Sequence, residues 1–385
     1  MRSQAEQVPD NSPLVDFALR GLDRCWLPDL GRWSHIYHLD GRKQPNESIP
    51  ASDVFYTINV LVGMSRVGRL PPHVDLAETF LRNASQLPDL PVNKYAYGVT
   101  LWASAELELP IPEPLIRHIE GVVRDTEGWM SFRAQDLGMI LVGVAALCRG
   151  DEEKWGSLAH ALFRFLCDRY HAPSGLFYDT AIGMRRRYAS FATQTYLVLA
   201  CYAFGELTGD ERAIGMANSC TRKLIDLQGP NGEWPWFFDA RAGRVLDFYE
   251  VYSVHQYGMA PAFLELAERH GVAEARAAIV RGFKWVLGHN QLGRPMLVPD
   301  LSLSIRSQVR RGELRTKRRR MVRAIVNSTL GIEASLVPQS DLTLRLECRS
   351  YELGWILWSF GARSDLPELT HHQAFTAGTR PSARS

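Results

Sequence analysis

Apolar stretches of helical length alternate with more polar ones along most of the chain. Residues 13–26 place Leu14, Phe17, Ala18 and Leu22 on one face, the spacing of an amphipathic helix. Asp53 to Val67 reads as an apolar helix closed by Gly68, and a second helix over 73–86 stops before Pro88. The same alternation predicts helix pairs at 94–107 with 113–124, 133–149 with 152–169, 189–207 with 211–227, and 254–268 with 273–288. Tyr351–Phe360 is the last apolar helix. A register repeats through these segments. Gln135 stands 15 residues before Gly150, Gln194 15 before Gly209, Gln256 15 before Gly271 and Asp53 15 before Gly68. Each glycine is expected to close its helix in a left-handed conformation. Self-similarity at a period of about 60 residues predicts repeated helical hairpins. Five are complete, and the Tyr351 helix can form a sixth with the helix at 13–26, closing a ring.

Connection lengths give the ring a polarity. Turns from an apolar helix to its polar partner are short, as at Gly150-Asp151, Gly209-Asp210 and Gly271-Val272. Returns to the next apolar helix are long, at about 125–132, 169–188, 228–253 and 289–350. All long connections therefore fall at the N-terminal ends of the apolar helices. Insertions gathered on one face of a repeat fold mark its binding face. Helix N-termini there offer unpaired N–H groups and partial positive charge. Three of these connections share a texture of turn residue, glycine and aromatics: Glu127-Gly128-Trp129, Ser174-Gly175-Leu176-Phe177-Tyr178-Asp179 and Asn231-Gly232-Glu233-Trp234-Pro235-Trp236. Each is expected to form a short strand or hairpin.

An apolar inner ring of six helices, polar outer helices and glycine-aromatic loops resemble the six-hairpin glycosidase-like superfamily, the (α/α)6 toroids. The resemblance covers roughly residues 50–362. It implies an all-α fold, an (α/α)6 toroid with short strands or hairpins in its long loops. The Trp234-Pro235-Trp236-Phe237-Phe238-Asp239 segment, followed by a helix opening at His255-Gln256, is similar to sugar-active proteins of that superfamily. Isoprenoid cyclases share the toroid shape, but the chain has no DxDD or DDxxD cluster. The expected organisation is a flexible stretch over 1–12, one toroid domain over 13–362 and a flexible tail over 363–385.

Composition adds boundaries. The 385 residues are 46% hydrophobic and 22% charged with net charge +2, so nothing suggests a general attraction to nucleic acid. None of Cys25, Cys148, Cys167, Cys201, Cys220 and Cys348 forms a CxxC pair, and buried free thiols are expected rather than a metal site. The opening MRSQAEQVPDNSP lacks the apolar core of a signal peptide, and no apolar run reaches membrane-spanning length. A cytoplasmic protein without cofactor or metal is the expectation. Residues 306–323 hold nine basic residues and one acid in the longest loop. A solvated face, an anionic glycan, a phosphorylated carrier or peripheral contact with an acidic membrane surface could each account for that run.

Candidate chemistry concentrates on the long-loop face. Glycoside hydrolysis needs two carboxyls, one kept protonated by apolar surroundings. Asp179, Asp239 and Glu250 are the candidate catalytic acids, with Asp247 nearby. Helix capping or pairing with Arg241, Arg244 or Arg185–Arg187 is their structural alternative. His255, at a helix start where its neutral form is favoured, is a candidate base. The resemblance implies a rival chemistry, since Tyr and His transfer protons in lyases and epimerases of the superfamily, which would use Tyr252 and His255. Trp129, Tyr178, Trp234 and Trp236 offer flat faces to sugar rings, and Tyr252, Gln194 and Gln256 offer hydrogen bonds to hydroxyls. Packing residues and a ring of structural hydrogen bonds fit the same positions. The expected function is a carbohydrate-active enzyme, most simply hydrolase-like, with a lyase or epimerase, or a non-catalytic glycan-binding protein of polysaccharide assembly, as alternatives. The site is expected at the N-terminal ends of the apolar helices, walled by Trp234, Trp236, Asp239, Tyr252, His255, Gln256, Tyr178 and Asp179, with the opposite end of the ring closed and featureless.

Overall fold

The computed structural model of the protein describes residues 12–313, 317–332 and 334–376. Its helices are α1 (Pro13–Cys25), α2 (Pro50–Met64), α3 (Leu76–Ala84), α4 (Tyr95–Leu107), α5 (Glu113–Arg124), α6 (Ala134–Cys148), α7 (Glu152–Arg169), α8 (Phe191–Thr208), α9 (Glu211–Asp226), α10 (Ala260–Arg269), α11 (Ala275–Val286), α12 (Lys317–Thr329), α13 (Ser350–Phe360) and α14 (Pro367–Thr370). A π-helical turn, His255–Met259, leads into α10.

Six inner helices close a ring in the spatial order α2, α4, α6, α8, α10, α13 and back to α2. α3, α7, α9 and α11 pack outside their partners, α5 meets α4 through the Tyr97–His118 hydrogen bond, and α1 covers α13 as the sixth outer helix. This is the (α/α)6 toroid. The division follows from composition. An inner helix such as α6 is buried nearly all round, through residues including Leu137, Ile140, Leu141 and Val144. An outer helix such as α5 buries only Leu115, Ile119 and Val123 along one stripe.

Glycines let the inner helices approach closely. A Cβ on Gly138 of α6 would sit 2.8 Å from the backbone carbonyl of Tyr196 in α8. Backbone cannot swing aside as a side chain can. Gly138→Ala is expected to cost about 1–3 kcal/mol through overpacking. Denaturant unfolding measures this, and an unchanged midpoint would show that the α6–α8 contact yields freely.

Of the four expected glycine caps, two have the left-handed conformation: Gly209 at φ 69° closing α8, and Gly271 at φ 81°. Gly68 and Gly150 do not, because α2 and α6 end at right-handed Ser65 and Arg149, whose N–H groups return to the last turn. Residues 364–376, expected within a flexible tail, instead lie against the ring. Phe375 is buried edge-on to Phe17 and its carbonyl accepts from the Arg20 guanidinium at 2.9 Å. The rest of that tail, and residues 1–11, fall outside the described residues.

The long loops make short antiparallel sheets over the N-terminal face. Phe237–Asp239 pairs with Tyr188–Ser190 on one side and Arg244–Asp247 on the other. Ser307–Arg310 lies between Val251–Tyr252 and Leu342–Arg345. Among the described residues no helix is long and apolar enough to cross a membrane.

Candidate active site

Two of the recurring glutamines act as clamps. In α8, Gln194 accepts from the Phe177 N–H and donates to the Phe177 carbonyl, both at 2.8 Å. Gln256 accepts from the Trp234 N–H and donates to the Tyr252 carbonyl, both at 3.1 Å. Phe177 and Trp234 each stand two residues after a glycine with φ near 90°, Gly175 and Gly232. The shared register is therefore a device for pinning a glycine-aromatic loop to the helix behind it. Gln194 and Gln256 are fully buried and do not face a ligand space.

The aromatic candidates are packing residues. Trp234 is 0% exposed and its ring lies 5.4 Å from Phe191 and 6.4 Å from Phe263. Trp129 is buried with its indole N–H donated to the Val123 carbonyl at 2.9 Å. Trp236 is stacked on Phe237 beneath the Arg320 guanidinium. Tyr178 is buried under Arg186, 4.2 Å above its ring. The physical reason is common to all four. The long loops are layers folded down onto the helix ends; Trp129, Tyr178 and Trp234 extend the main core into them, and Trp236 packs in a smaller cluster with Phe237 and Leu246.

The candidate acids are committed to structure as well. Asp179 accepts from the Thr193 hydroxyl at 2.7 Å in the first turn of α8. Asp239 accepts a two-pronged bond from Arg187. Burial raises its pKa, but the Arg187 pairing and nearby Arg244 outweigh that and hold it below the ordinary range. Glu250 is 1% exposed and is gripped by Arg320 and Arg345, each at 2.6 Å, and by the Ser307 hydroxyl. Burial pulls its pKa up, yet the Arg345 and Arg320 charges hold it down at about 2. An acid so firmly ionised cannot donate a proton near neutrality. Tyr252 donates to Glu250 at 3.2 Å, and burial pushes its phenol to about 12.

These pairings also explain the basic run. Arg310 and Arg323 bind Asp247 at 2.7 and 2.8 Å, and Arg306 binds Glu352. With Arg320 on Glu250, four of its nine basic residues are internal counter-ions rather than a solvated face. Arg311 and Arg319 are exposed, and Arg315 falls outside the described residues.

What opens at the N-terminal end is a cavity of about 210 Å³ on the ring axis. Every inner element contributes: Tyr56 and Asn59 from α2, Tyr95 from α4, Gln135 and Asp136 from α6, Tyr196 from α8, His255 and Met259 from the π turn, and Tyr351 from α13. Of the residues nominated from sequence as catalytic or substrate-binding, only His255 lines it. Gln194 and Gln256 lie in the helices behind the loops, and the others sit one layer out, in the loops. Sequence reasoning missed Tyr56, Tyr95, Tyr196 and Tyr351. Their signal was a tyrosine near the start of inner helices after inner helices, obscured because each also fits an apolar helix pattern.

The electrostatics of this cavity centre on His255. It is 6% exposed, its ring lies 4.7 Å from Phe191 and 5.1 Å from Tyr252, and its Nδ1 has no hydrogen-bond partner. Burial first, and then the positive charge of Arg306, lower its pKa to about 3, so it is neutral. Asp136 accepts from the Tyr95 and Arg133 N–H groups at 2.8 and 3.0 Å. Its pKa is raised, chiefly by burial. Arg133 stands exposed at the rim. Tyr95 and Tyr196 touch through their hydroxyls at 3.4 Å.

The opposite end is not featureless. A larger hollow, about 540 Å³, lies between the C-terminal ends of the inner helices. Short turns close each hairpin at the periphery, but small side chains such as Ala145, Ala146, Ala203 and Ala262 leave the axis unfilled.

No protein-family model and no curated protein matches the chain. Solved structures do. Cellobiose 2-epimerase from Bacillus thermoamylovorans is similar with TM-score 0.63 and 10% identity, over 91% of this chain and 99% of its own. A possible GH105 family member from Salmonella enterica serovar Paratyphi A gives 0.61 and 11%, over 94% and 96%. A sugar epimerase from a ruminal bacterium gives 0.53 and 11%, over 71% and 84%. The chain shares the six-hairpin (α/α)6 toroid fold with them.

Proposed function

We propose that the protein is a carbohydrate-active enzyme whose saccharide substrate sits in the N-terminal axial cavity and reacts by proton transfer at His255. The observation that carries this is a neutral, nine-tenths buried imidazole with an unpartnered Nδ1 on a cavity ringed by four tyrosines. Aromatic faces suit the C–H faces of a sugar ring, while Asn59, Gln135 and the tyrosine hydroxyls suit its hydroxyls. Epimerases and a glycoside hydrolase family are among the proteins that share the fold, which supports a sugar substrate by analogy. An exposed Arg133 at the rim favours an anionic saccharide, and six unpaired thiols favour a reducing, cytoplasmic setting.

A second reading, glycoside hydrolysis, has Asp136 behind it. It is the carboxyl on the cavity wall, and its raised pKa suits a general acid. Asp239 and Glu250 do not complete a carboxyl pair with it, because neither lines the cavity and arginines occupy both.

The test is product analysis on a panel of reducing disaccharides and uronate-containing oligosaccharides in deuterated water. Deuterium incorporation beside the carbonyl marks epimerisation, an unsaturated uronate absorbing in the ultraviolet marks elimination, and new reducing ends without deuterium mark hydrolysis. His255→Gln is expected to lower a proton-transfer activity by about 10²-fold or more. Full activity in that variant would sink the assignment. Saccharide binding in the cavity with no turnover of any kind would support a glycan-binding protein instead.

A further inference from the structure

We propose that the hollow at the C-terminal end of the ring is a second ligand site, one that takes a small polyhydroxylated anion such as a sugar phosphate or sugar acid. Its volume of about 540 Å³ exceeds that of the cavity holding His255, and the two share no lining residue. The ring axis between them is filled by Trp355, whose ring lies 6.2 Å from Trp102 on one side and 6.2 Å from Tyr196 on the other. Trp102 lines the C-terminal hollow and Tyr196 the N-terminal cavity.

The charges on its wall decide the ligand class. Arg149 is paired with Glu106 at 2.6 Å, and Arg269 with Glu206 at 3.4 Å. Arg66 differs. Its guanidinium lies flat over the Trp358 ring at 3.8 Å and, among the described residues, pairs with no acid. Stacking occupies the face of a guanidinium and leaves its in-plane N–H groups free, the geometry that grips a carboxylate or phosphate with two parallel bonds. Glu265 lines the same hollow; its charge acts on Arg363, but no direct ion pair engages it among the described residues. A carboxylate accepts hydrogen bonds only, so it suits a ligand's hydroxyl donors. Trp102, edge-on to Trp358 at 4.5 Å, and Leu199 and Leu266 supply apolar wall. A guanidinium without an acid partner among the described residues, a carboxylate and a tryptophan wall select a body that carries both an anionic group and hydroxyls. A bare anion would forgo the wall, and a neutral sugar would leave Arg66 unpaired.

Tryptophan fluorescence tests this on the full chain, since Trp102 and Trp358 lie in the wall. Glucose 6-phosphate and glucuronate are titrated, with glucose and inorganic phosphate as controls. Saturable quenching by either sugar anion is expected, with glucose and inorganic phosphate at least about tenfold weaker. Arg66→Ala should weaken the response by about tenfold or more, and Arg66→Gln, which keeps the stem over Trp358, does the same if the alanine variant folds poorly. His255→Gln should leave it intact, which separates this hollow from the catalytic cavity. No saturable quenching by either sugar anion, quenching that persists in Arg66→Gln, or quenching lost in His255→Gln would each overturn the proposal.

Discussion

Trp234→Ala should destabilise the protein by about 3–5 kcal/mol, the cost of removing a fully buried aromatic side chain. Trp234 is 0% exposed, its backbone N–H is held by Gln256, and its ring lies among Phe191 and Phe263. Removing it opens a cavity under the loop layer where α8, α10 and the 228–253 connection meet. Phe191 also contacts His255, so turnover should fall alongside stability. Trp234→Phe keeps most of the apolar volume and should cost much less. Chemical denaturation checks the order. A stable Trp234→Ala variant that loses only saccharide binding would restore this tryptophan as a ligand contact.

Glu250→Ala should be comparably damaging, at about 3–5 kcal/mol, because it strands charge inside the protein. Arg320 is 3% exposed at its side chain and has Glu250 as its ion-pair partner, and Arg345 shares that carboxylate. Through Arg320 the pair fastens α12 over the sheet formed by Val251–Tyr252, Ser307–Arg310 and Leu342–Arg345. The pH dependence has a definite sign. The folded pKa of about 2 lies below the ordinary 4.5, so the ion pairs contribute fully above about pH 4.5. That contribution drains away as pH falls from there toward 2. Glu250→Gln, which cannot titrate, should show a flatter stability profile across this window. Identical acid-unfolding profiles for Glu250→Gln and the wild type would show that Glu250 gains nothing from its arginines.

The toroid itself was legible in the chain. Apolar helices with polar partners and alternating short and long links follow from local periodicity, and the count of hairpins leaves Tyr351–Phe360 and 13–26 as a sixth pair that the structure brings together. A helix apolar on every side has to be surrounded, and one apolar along a stripe has to lie outside it. The face carrying the long loops was legible for the same reason, since link length is a property of sequence.

Which residues reach the ligand space was decided by tertiary structure. Trp234, Trp236, Trp129 and Tyr178 lie in the loops that cover the helix ends, yet their rings turn inward, because a layer with one wet face buries its aromatics on the other. Tyr56, Tyr95, Tyr196 and Tyr351 look like core residues in sequence, and only ring closure leaves an axial gap in front of them. Glu250 and Asp239 sit in aromatic surroundings that by themselves suggest raised pKa values. Arg345, 95 residues from Glu250, and Arg187, 52 from Asp239, reverse the sign. Local sequence sets what a segment can bury. The partner at another strand of the same loop sheet sets the charge a buried group carries, and no window of neighbouring residues contains that partner.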